Sequence, residues 1–220
     1  MLKVAVGQCE GGEPEAVAAS VIEACRRQLD GAAPQAGILY MAAGFDPAPI
    51  VRAVAAAFPG VALLGGTTAG DLSSALGFSE DSVTLTLFAG DALRFTAGVG
   101  EGLAGDPAGA VRAALANAGA EPVLCLALLD PAAGTSELAV RALTEALPGT
   151  AVLGGALGSP WNTNVRASVF FGERVLRDAI VLLCFHGRAR CALQIHNGWR
   201  PVGPRQTVTA GVGRVVERIG

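Results

Sequence analysis

The sequence has few of the residues on which most catalytic sites depend. Its 220 residues include two histidines and a single lysine, Lys3, and charged residues make up only 16%. No GxxxxGK[ST] motif is present, which excludes P-loop phosphate chemistry, and there is no GxSxG elbow to carry a nucleophilic serine. Both histidines, His186 and His196, fall in predicted strands. The sequence therefore gives little support to nucleophilic catalysis.

Long apolar runs are missing as well, although 51% of the residues are hydrophobic. The most apolar stretch, residues 122–129, is closed by Asp130 and Pro131, far short of the ~20 residues that a membrane-spanning helix needs. The first residues contain no apolar stretch followed by a small-residue cleavage site, so no signal peptide is predicted. We therefore expect a cytoplasmic globular protein that does not bind membranes.

Disulfide, metal and nucleic-acid chemistry are also disfavoured. The five cysteines are an odd number without a CxxC pair, which argues against a disulfide framework or a zinc site. Cys191 and His196 have opposite strand parity and cannot face one metal ion. The net charge of −3 argues against nucleic-acid binding. Six arginines follow His186, with Glu217 as the only acid. They could hold a carboxylate or phosphate, although a solvated strand face is the simpler interpretation. We expect no cofactor.

What the sequence does contain is a duplication. The segment VRAVAAAFPGVALLGG begins at Val51 and VRALTEALPGTAVLGG begins at Val140, and ten of the sixteen positions are identical. The same offset of 89 residues places GILYMAA, from Gly37, against LALLDPA, from Leu126. The helical spacing predicts one buried apolar stripe in each copy. These stripes consist of Val51, Val54 and Phe58 in the first copy and Val140, Leu143 and Leu147 in the second.

Each copy has the pattern strand, helix, strand, which is typical of a right-handed parallel crossover. SVTLTLF from Ser82 and AIVLLCF from Ala179 are predicted strands. Each is followed closely by another, LRFTAG from Leu93 or LQIHNG from Leu193, and such short connections favour antiparallel pairing. ASVFFGERVL, from Ala167, indicates an extra strand in the second copy only.

The full repeat unit is predicted as strand, helix, strand, helix, strand, strand, because LKVAVG near the N-terminus resembles LRFTAG and LQIHNG. The fold class is therefore α/β, with two pseudo-repeated halves packed about a pseudo-twofold axis, mixed sheets, and helices on the outer faces. We expect one domain, with halves at residues 1–92 and 93–198 and an extension at 199–220.

Ligands of α/β proteins usually bind at the carboxyl ends of parallel strands. There the sequence places GGTTAGD, Asp130 and GGALGSPWNTN. Glycines allow close approach to main-chain amides, and the polar side chains offer hydrogen bonds. Alternatively, the glycines only turn the chain and the polar residues cap the turns. GVGEG, from Gly98, is too poor a match to indicate nucleotide binding. The candidate ligand-binding residues are Gly65, Gly66, Thr67, Thr68, Asp71, Asp130, Gly154, Gly155, Asn162 and Asn164.

Several segments resemble the N-terminal region of the FIST family of intracellular sensory domains from prokaryotic signalling proteins. They are LLGGTTAGD, VLGGALGS and, most specifically, GWRPVGPRQTVT followed by GRVVERIG. The resemblance adds Trp199 and Arg200 as candidate ligand contacts. It implies a small-molecule ligand, with amino acids or their derivatives the suggested class, and a C-terminal FIST region or an output domain as partner.

Three functions remain open. The first is a non-enzymatic sensory module, in which an arginine binds a carboxylate and an aspartate binds an ammonium group. The second is an enzyme acting on a small carboxylate substrate with Asp71 or Asp130 as base, and the third is an interaction scaffold.

Overall fold

The computed structural model describes residues 2–119, 121–131, 134–160, 165–194, 198–212 and 215–220. Among these, no helix is long and apolar enough to cross a membrane. The first half runs β1 (Lys3–Glu10), α1 (Pro14–Leu29), β2 (Ala36–Ala42), α2 (Pro47–Ala57), β3 (Ala62–Thr68), β4 (Asp71–Ser73), β5 (Gly77–Ser79) and β6 (Ser82–Ala89). The second half runs β7 (Leu93–Glu101), α3 (Pro107–Ala118), β8 (Leu124–Leu129), α4 (Ser136–Ala146), β9 (Ala151–Ala156), β10 (Val169–Phe171), β11 (Arg174–Leu176) and β12 (Ala179–Gly187). A terminal hairpin follows, β13 (Val208–Val212) and β14 (Val215–Ile219).

The two halves build sheets with the same strand order. The first sheet is ordered β1-β6-β2-β3-β10-β11 and the second is ordered β7-β12-β8-β9. In both, the third strand of the unit lies parallel to the second, and the last strand lies antiparallel between the first and second. The predicted fold class, two pseudo-repeated halves with mixed sheets, is confirmed.

Helices cover the outer face of each sheet, and the inner faces of the two sheets pack against each other. One buried cluster lies between α1, α2 and the first sheet, a second between α3, α4 and the second sheet, and a third between the sheets. Phe88 of β6 meets its counterpart Phe185 of β12 edge to face, with ring centroids 5.5 Å apart. Because equivalent residues meet at the centre, the halves pack about an approximate twofold axis.

Local sequence explains where the helices begin. α1, α2 and α3 each start with a proline, where the missing amide costs no hydrogen bond. Asp46 and Asp106 cap α2 and α3 by accepting hydrogen bonds from the amides of Ala48 and Gly109. The GxG of GVGEG also has a packing role: a side chain at Gly98 or Gly100 would overlap the main chain of α3.

Four sequence-based expectations about strands are wrong. β6 and β7 do not form a hairpin, because they belong to different sheets. The segment after Ala167 forms two short strands, β10 and β11, and is not peculiar to the second copy, because β4 and β5 occupy the same place in the first; β10 and β11 join the first sheet. Residues 193–194 lie outside any strand, whereas His196 falls outside the described residues. The 89-residue offset fails for β2 and β8: opposite the first glycine of each doublet stand Leu39 and Ala127, an offset of 88.

The predicted stripe of α4 is also partly wrong. Val51, Val54 and Phe58 of α2 are buried, as are Leu143 and Leu147, but Val140 is 51% exposed. Its counterpart Val51 lies under a buried cluster that includes Phe170 of β10. Phe170 comes from the second half, and no described residue of the first half supplies an equivalent over α4, so Val140 is left exposed.

Candidate functional site

The two Gly-Gly doublets lie inside strands β3 and β9, not in loops as the sequence suggested. A side chain at Gly65 would overlap the carbonyl oxygen of Leu39 on the neighbouring strand, and one at Gly154 would overlap that of Ala127. The first glycine of each doublet is therefore a requirement of the parallel strand pair. This explains its repetition without any reference to a ligand.

The second glycine of each doublet has a different environment in the two halves. A Cβ at Gly66 would lie 2.6 Å from the carbonyl oxygen of Ser168 and would also collide with the side chain of Leu157. A Cβ at Gly155 would meet nothing within 4 Å. Equivalent positions of the repeat are thus filled in the first half and open in the second.

A cavity of about 450 Å³ opens at Gly155, between the two sheets at the carboxyl ends of β3 and β9. The turn after β3 forms one wall, and β8 with β9 and the residues after it forms the other. We call this the inter-sheet cavity. Its lining is mainly aliphatic, and the hydroxyl groups of Tyr40 and Thr68 are the only side-chain polar groups among its lining residues. The lining residues are Tyr40, Thr68, Ala69, Gly70, Leu126, Leu128, Leu153, Gly154, Gly155, Ala156, Leu157 and Gly158.

A buried carboxylate lies behind the polar end of this cavity. Asp71 is 4% exposed and accepts hydrogen bonds from the hydroxyls of Thr68 at 2.6 Å, Thr84 at 3.3 Å and Ser82 at 3.4 Å. The side-chain amide of Gln8 extends the network by donating to the Ser82 hydroxyl at 3.0 Å. Asp71 is therefore connected to the cavity by its hydrogen bond from Thr68.

Burial sets the protonation of this polar end. It raises the pKa of Asp71, while the hydrogen bonds from Thr68, Thr84 and Ser82 oppose that rise by stabilising the carboxylate. Burial, assisted by the negative charge of Asp71, raises the pKa of Tyr40 to about 12. Tyr40 is consequently a neutral phenol near pH 7, able to donate or accept one hydrogen bond.

The structure gathers only part of the predicted site. Thr68, Gly154 and Gly155 line the inter-sheet cavity, and Asp71 stands behind it. Thr67 has a structural role, because its hydroxyl accepts a hydrogen bond from the amide of Ser168 at 2.9 Å. Gly65 and Gly66 are packed against their neighbours, as described above.

The remaining candidates lie elsewhere. Asp130 is buried and accepts a hydrogen bond from the amide of Asp178 at 2.8 Å, away from the cavity lining. Trp199 is 88% exposed and Arg200 is also exposed, and neither lines the cavity. Asn162 and Asn164 fall outside the described residues.

Sequence reasoning missed the aliphatic walls and Tyr40. Strand parity could have predicted them, since Tyr40, Leu126 and Leu128 all lie on the inner faces of their strands. The one-residue error in aligning β2 with β8 assigned these residues to the wrong equivalent positions. Within the described part of the chain, no group of three or more His, Cys, Asp or Glu side chains could hold a metal ion.

Comparison with models of protein families shows which family the chain belongs to. The model of the FIST N domain matches residues 35–220. The chain belongs to the FIST N family. The resemblance noted from the sequence is therefore confirmed, and this FIST domain is a member of a family of sensory domains.

Solved structures with a distant likeness include two described as cyanuric acid hydrolases. One, a cyanuric acid hydrolase described as an evolutionary innovation by structural concatenation, is 12% identical to this chain with a TM-score of 0.36. The match covers 85% of this chain and 68% of that chain. The other, from A. caulinodans, is 12% identical with a TM-score of 0.42, covering 86% and 72%. A search of curated proteins by sequence finds no match.

Proposed function

We propose that this FIST domain binds a small metabolite in the inter-sheet cavity and that the ligand is an amino acid or a related compound. The observation that carries the proposal is the open space at Gly155, where the equivalent Gly66 is packed. A volume of about 450 Å³ lies within the range of small-molecule sites, which are mostly apolar with a few placed polar groups. Leucine side chains and the Tyr40–Thr68 pair meet that description.

The charge around the cavity determines how such a ligand is oriented. No lysine or arginine is among the lining residues, whereas Asp71 stands one hydrogen bond behind Thr68. An ammonium group placed at Thr68 and Tyr40 would be attracted by the Asp71 carboxylate, and the apolar part of the ligand would contact Leu126, Leu128 or Leu153. The role of carboxylate partner, expected of Arg200, passes in this proposal to main-chain amides.

Binding rather than catalysis is proposed, because Asp71 and Asp130, the bases named for the enzymatic alternative, do not line the cavity. The domain would act in the cytoplasm and pass the change on ligand binding to a C-terminal FIST region or a signalling output domain.

A thermal unfolding screen against single amino acids and related amines and acids tests the proposal. A ligand present at 100 times its Kd adds about 2.7 kcal/mol to the free energy of unfolding. Gly155→Leu, which fills the cavity from an open position, should abolish the shift, and Thr68→Val should weaken it. Gly44→Leu is the matched control, because Gly44 is exposed, has open space around it and lies outside the lining. Shifts of equal size in Gly155→Leu and in the unaltered protein would place any ligand elsewhere and overturn the proposal.

A further inference from the structure

Equivalent strands of the two halves differ in what lies at their outer edges. β3 pairs on one side with β2 and on the other with β10, which is followed by β11. β9 pairs with β8, and no described residue pairs with its other side. The residues of β3 are mostly buried, whereas Leu153, Gly154, Gly155 and Ala156 of β9 are exposed. The hairpin β10–β11 on β3 therefore shows which kind of structure can cover the equivalent edge of β9.

The main chain of β9 is arranged to accept a further strand. On β3 the amide of Thr67 donates outward to Ser168 at 2.9 Å. On β9 the amide of Leu157, just past the strand, donates inward to Leu129 of β8 at 2.8 Å. Alternation along a strand then directs the amides of Val152, Gly154 and Ala156 away from β8. An unpaired row of this kind is a template for another strand.

The side-chain space beside β9 matches an aromatic ring. In the first half Phe170 stands opposite Gly65 and is fully buried. In the second half a cavity of about 170 Å³, here called the outer cavity, lies beside Gly154 under α4. A cavity of roughly 150 Å³ is enough for benzene. The outer cavity is lined in part by Leu129, Val140, Leu143, Val152 and Ile180. Their counterparts all belong to the cluster that contains Phe170: Met41, Val51, Val54, Leu63 and Val83.

We infer that the outer edge of β9 is a docking site for a β-hairpin of the β10–β11 type, contributed by a polypeptide segment outside these 220 residues. Its first strand runs antiparallel to β9, with an aliphatic residue opposite Gly155 and an aromatic residue opposite Gly154. This register transfers the pairs Val169–Gly66 and Phe170–Gly65 to the second half. The aromatic side chain fills the outer cavity and covers Val140.

The other hairpins in the described part of the chain do not meet this description. The first strand of β4–β5 contains no aromatic residue, and its Asp71 is bound to the first half through Thr68, Ser82 and Thr84. The hairpin β13–β14 contains no aromatic residue in either strand. A second copy does carry β10–β11, but that hairpin is already paired with the copy's own β3. The occupant that we infer is therefore a separate hairpin of the same chemistry.

A peptide copy of the chain's own hairpin serves as the probe. Residues 167–177, ASVFFGERVLR, are cyclised to hold the hairpin, labelled, and titrated with the 220-residue protein while fluorescence anisotropy is recorded. We expect saturable binding with a Kd below about 1 mM. Replacing the phenylalanine that corresponds to Phe170 by alanine should weaken binding at least ~10-fold, since buried aromatic anchors dominate such contacts.

Protein variants assign the binding to β9. Val140→Phe, which fills the outer cavity from an exposed position, should weaken binding at least ~10-fold. Ala156→Pro, which removes one outward amide, should weaken it as well. Leu138→Phe is the matched control, because Leu138 is exposed on α4 and does not line the outer cavity.

Absence of binding, or binding unaffected by Val140→Phe, would overturn the inference; the latter would indicate exchange at β3. Self-association of the protein that Val140→Phe abolishes would identify a second copy as the occupant and likewise overturn it. The assay contains no metabolite, so its outcome is independent of the ligand proposed for the inter-sheet cavity.

Discussion

β3 and β9 belong to the two copies of the duplicated segment, and their surroundings differ. A hairpin covers the edge of β3, Leu157 fills the space at Gly66, and Val51 on the adjacent helix is buried. β9 has an open edge, an open Gly155 and an exposed Val140. Both cavities beside β9 follow from this difference. A duplicated sequence therefore specifies the same strand order twice, whereas the sites arise where the surroundings of the two copies diverge.

The largest effect is expected from removing the side chain that anchors the hairpin on β3. Phe170→Ala should lower the free energy of unfolding by about 3–5 kcal/mol, because the ring is fully buried. Glu173→Ala, at the exposed turn of the same hairpin, should change it by no more than ~0.5 kcal/mol. Urea denaturation measures both. Similar small losses for the two variants would show that the hairpin does not hold the first half together.

A smaller difference in the free energy of unfolding is expected between substitutions of Gly66 and Gly155, the second glycines of the two doublets. Gly66→Ala should cost about 1–3 kcal/mol, since the added methyl group meets Ser168 and Leu157. Gly155→Ala has open space, and its backbone is not in the left-handed region. It should be neutral or stabilise the protein by about 0.4–1 kcal/mol, because alanine lowers the entropy of the unfolded chain. Parallel thermal and urea unfolding of the pair gives the answer; equal destabilisation would mean that the space at Gly155 is filled in solution.

The helices offer a third test of the same difference. Val51→Ala removes buried methyl groups and should cost about 1.5 kcal/mol at roughly 0.8 kcal/mol per group. Val140→Ala, at a position 51% exposed, should cost less than ~0.5 kcal/mol. If the hairpin probe binds at β9, adding it at saturation should increase the cost of Val140→Ala and leave that of Val51→Ala unchanged.

The sequence predicted the strand–helix–strand repeat, because apolar periodicity is a local signal. The helix starts also have local causes, since α1, α2 and α3 each begin with a proline that follows Asp or Glu. Sequence reasoning failed where partners are distant in the chain. β10 pairs with β3 across about a hundred residues, and nothing in ASVFFGERVL indicates which sheet it joins. The doublets suggested loops because glycine is common in turns, yet Gly65 and Gly154 are required by the backbone of the adjacent strand. The inter-sheet cavity depends on how the sheets pack, which periodicity does not encode.

The smallest effect concerns Asp71, whose counterpart at the 89-residue offset is Pro160, so that this carboxylate has no equivalent at the matching position of the second half. Burial raises the pKa of Asp71 in the folded protein above its value in the unfolded chain. Between those two pKa values the folded state binds more protons than the unfolded state, and this group therefore lowers stability as the pH rises from about 4.

Asp71→Asn cannot titrate, so its free energy of unfolding should fall less steeply over that interval than that of the unaltered protein. Urea denaturation at a series of pH values from 4 to 7 measures the two slopes, with Asp91→Asn, an exposed carboxylate, as the control for net charge. Parallel curves for Asp71→Asn and the unaltered protein would mean that the Asp71 carboxyl is no harder to ionise in the folded chain than in the unfolded one, and the attraction proposed for an ammonium group at Thr68 would then rest on a fully charged aspartate throughout this range.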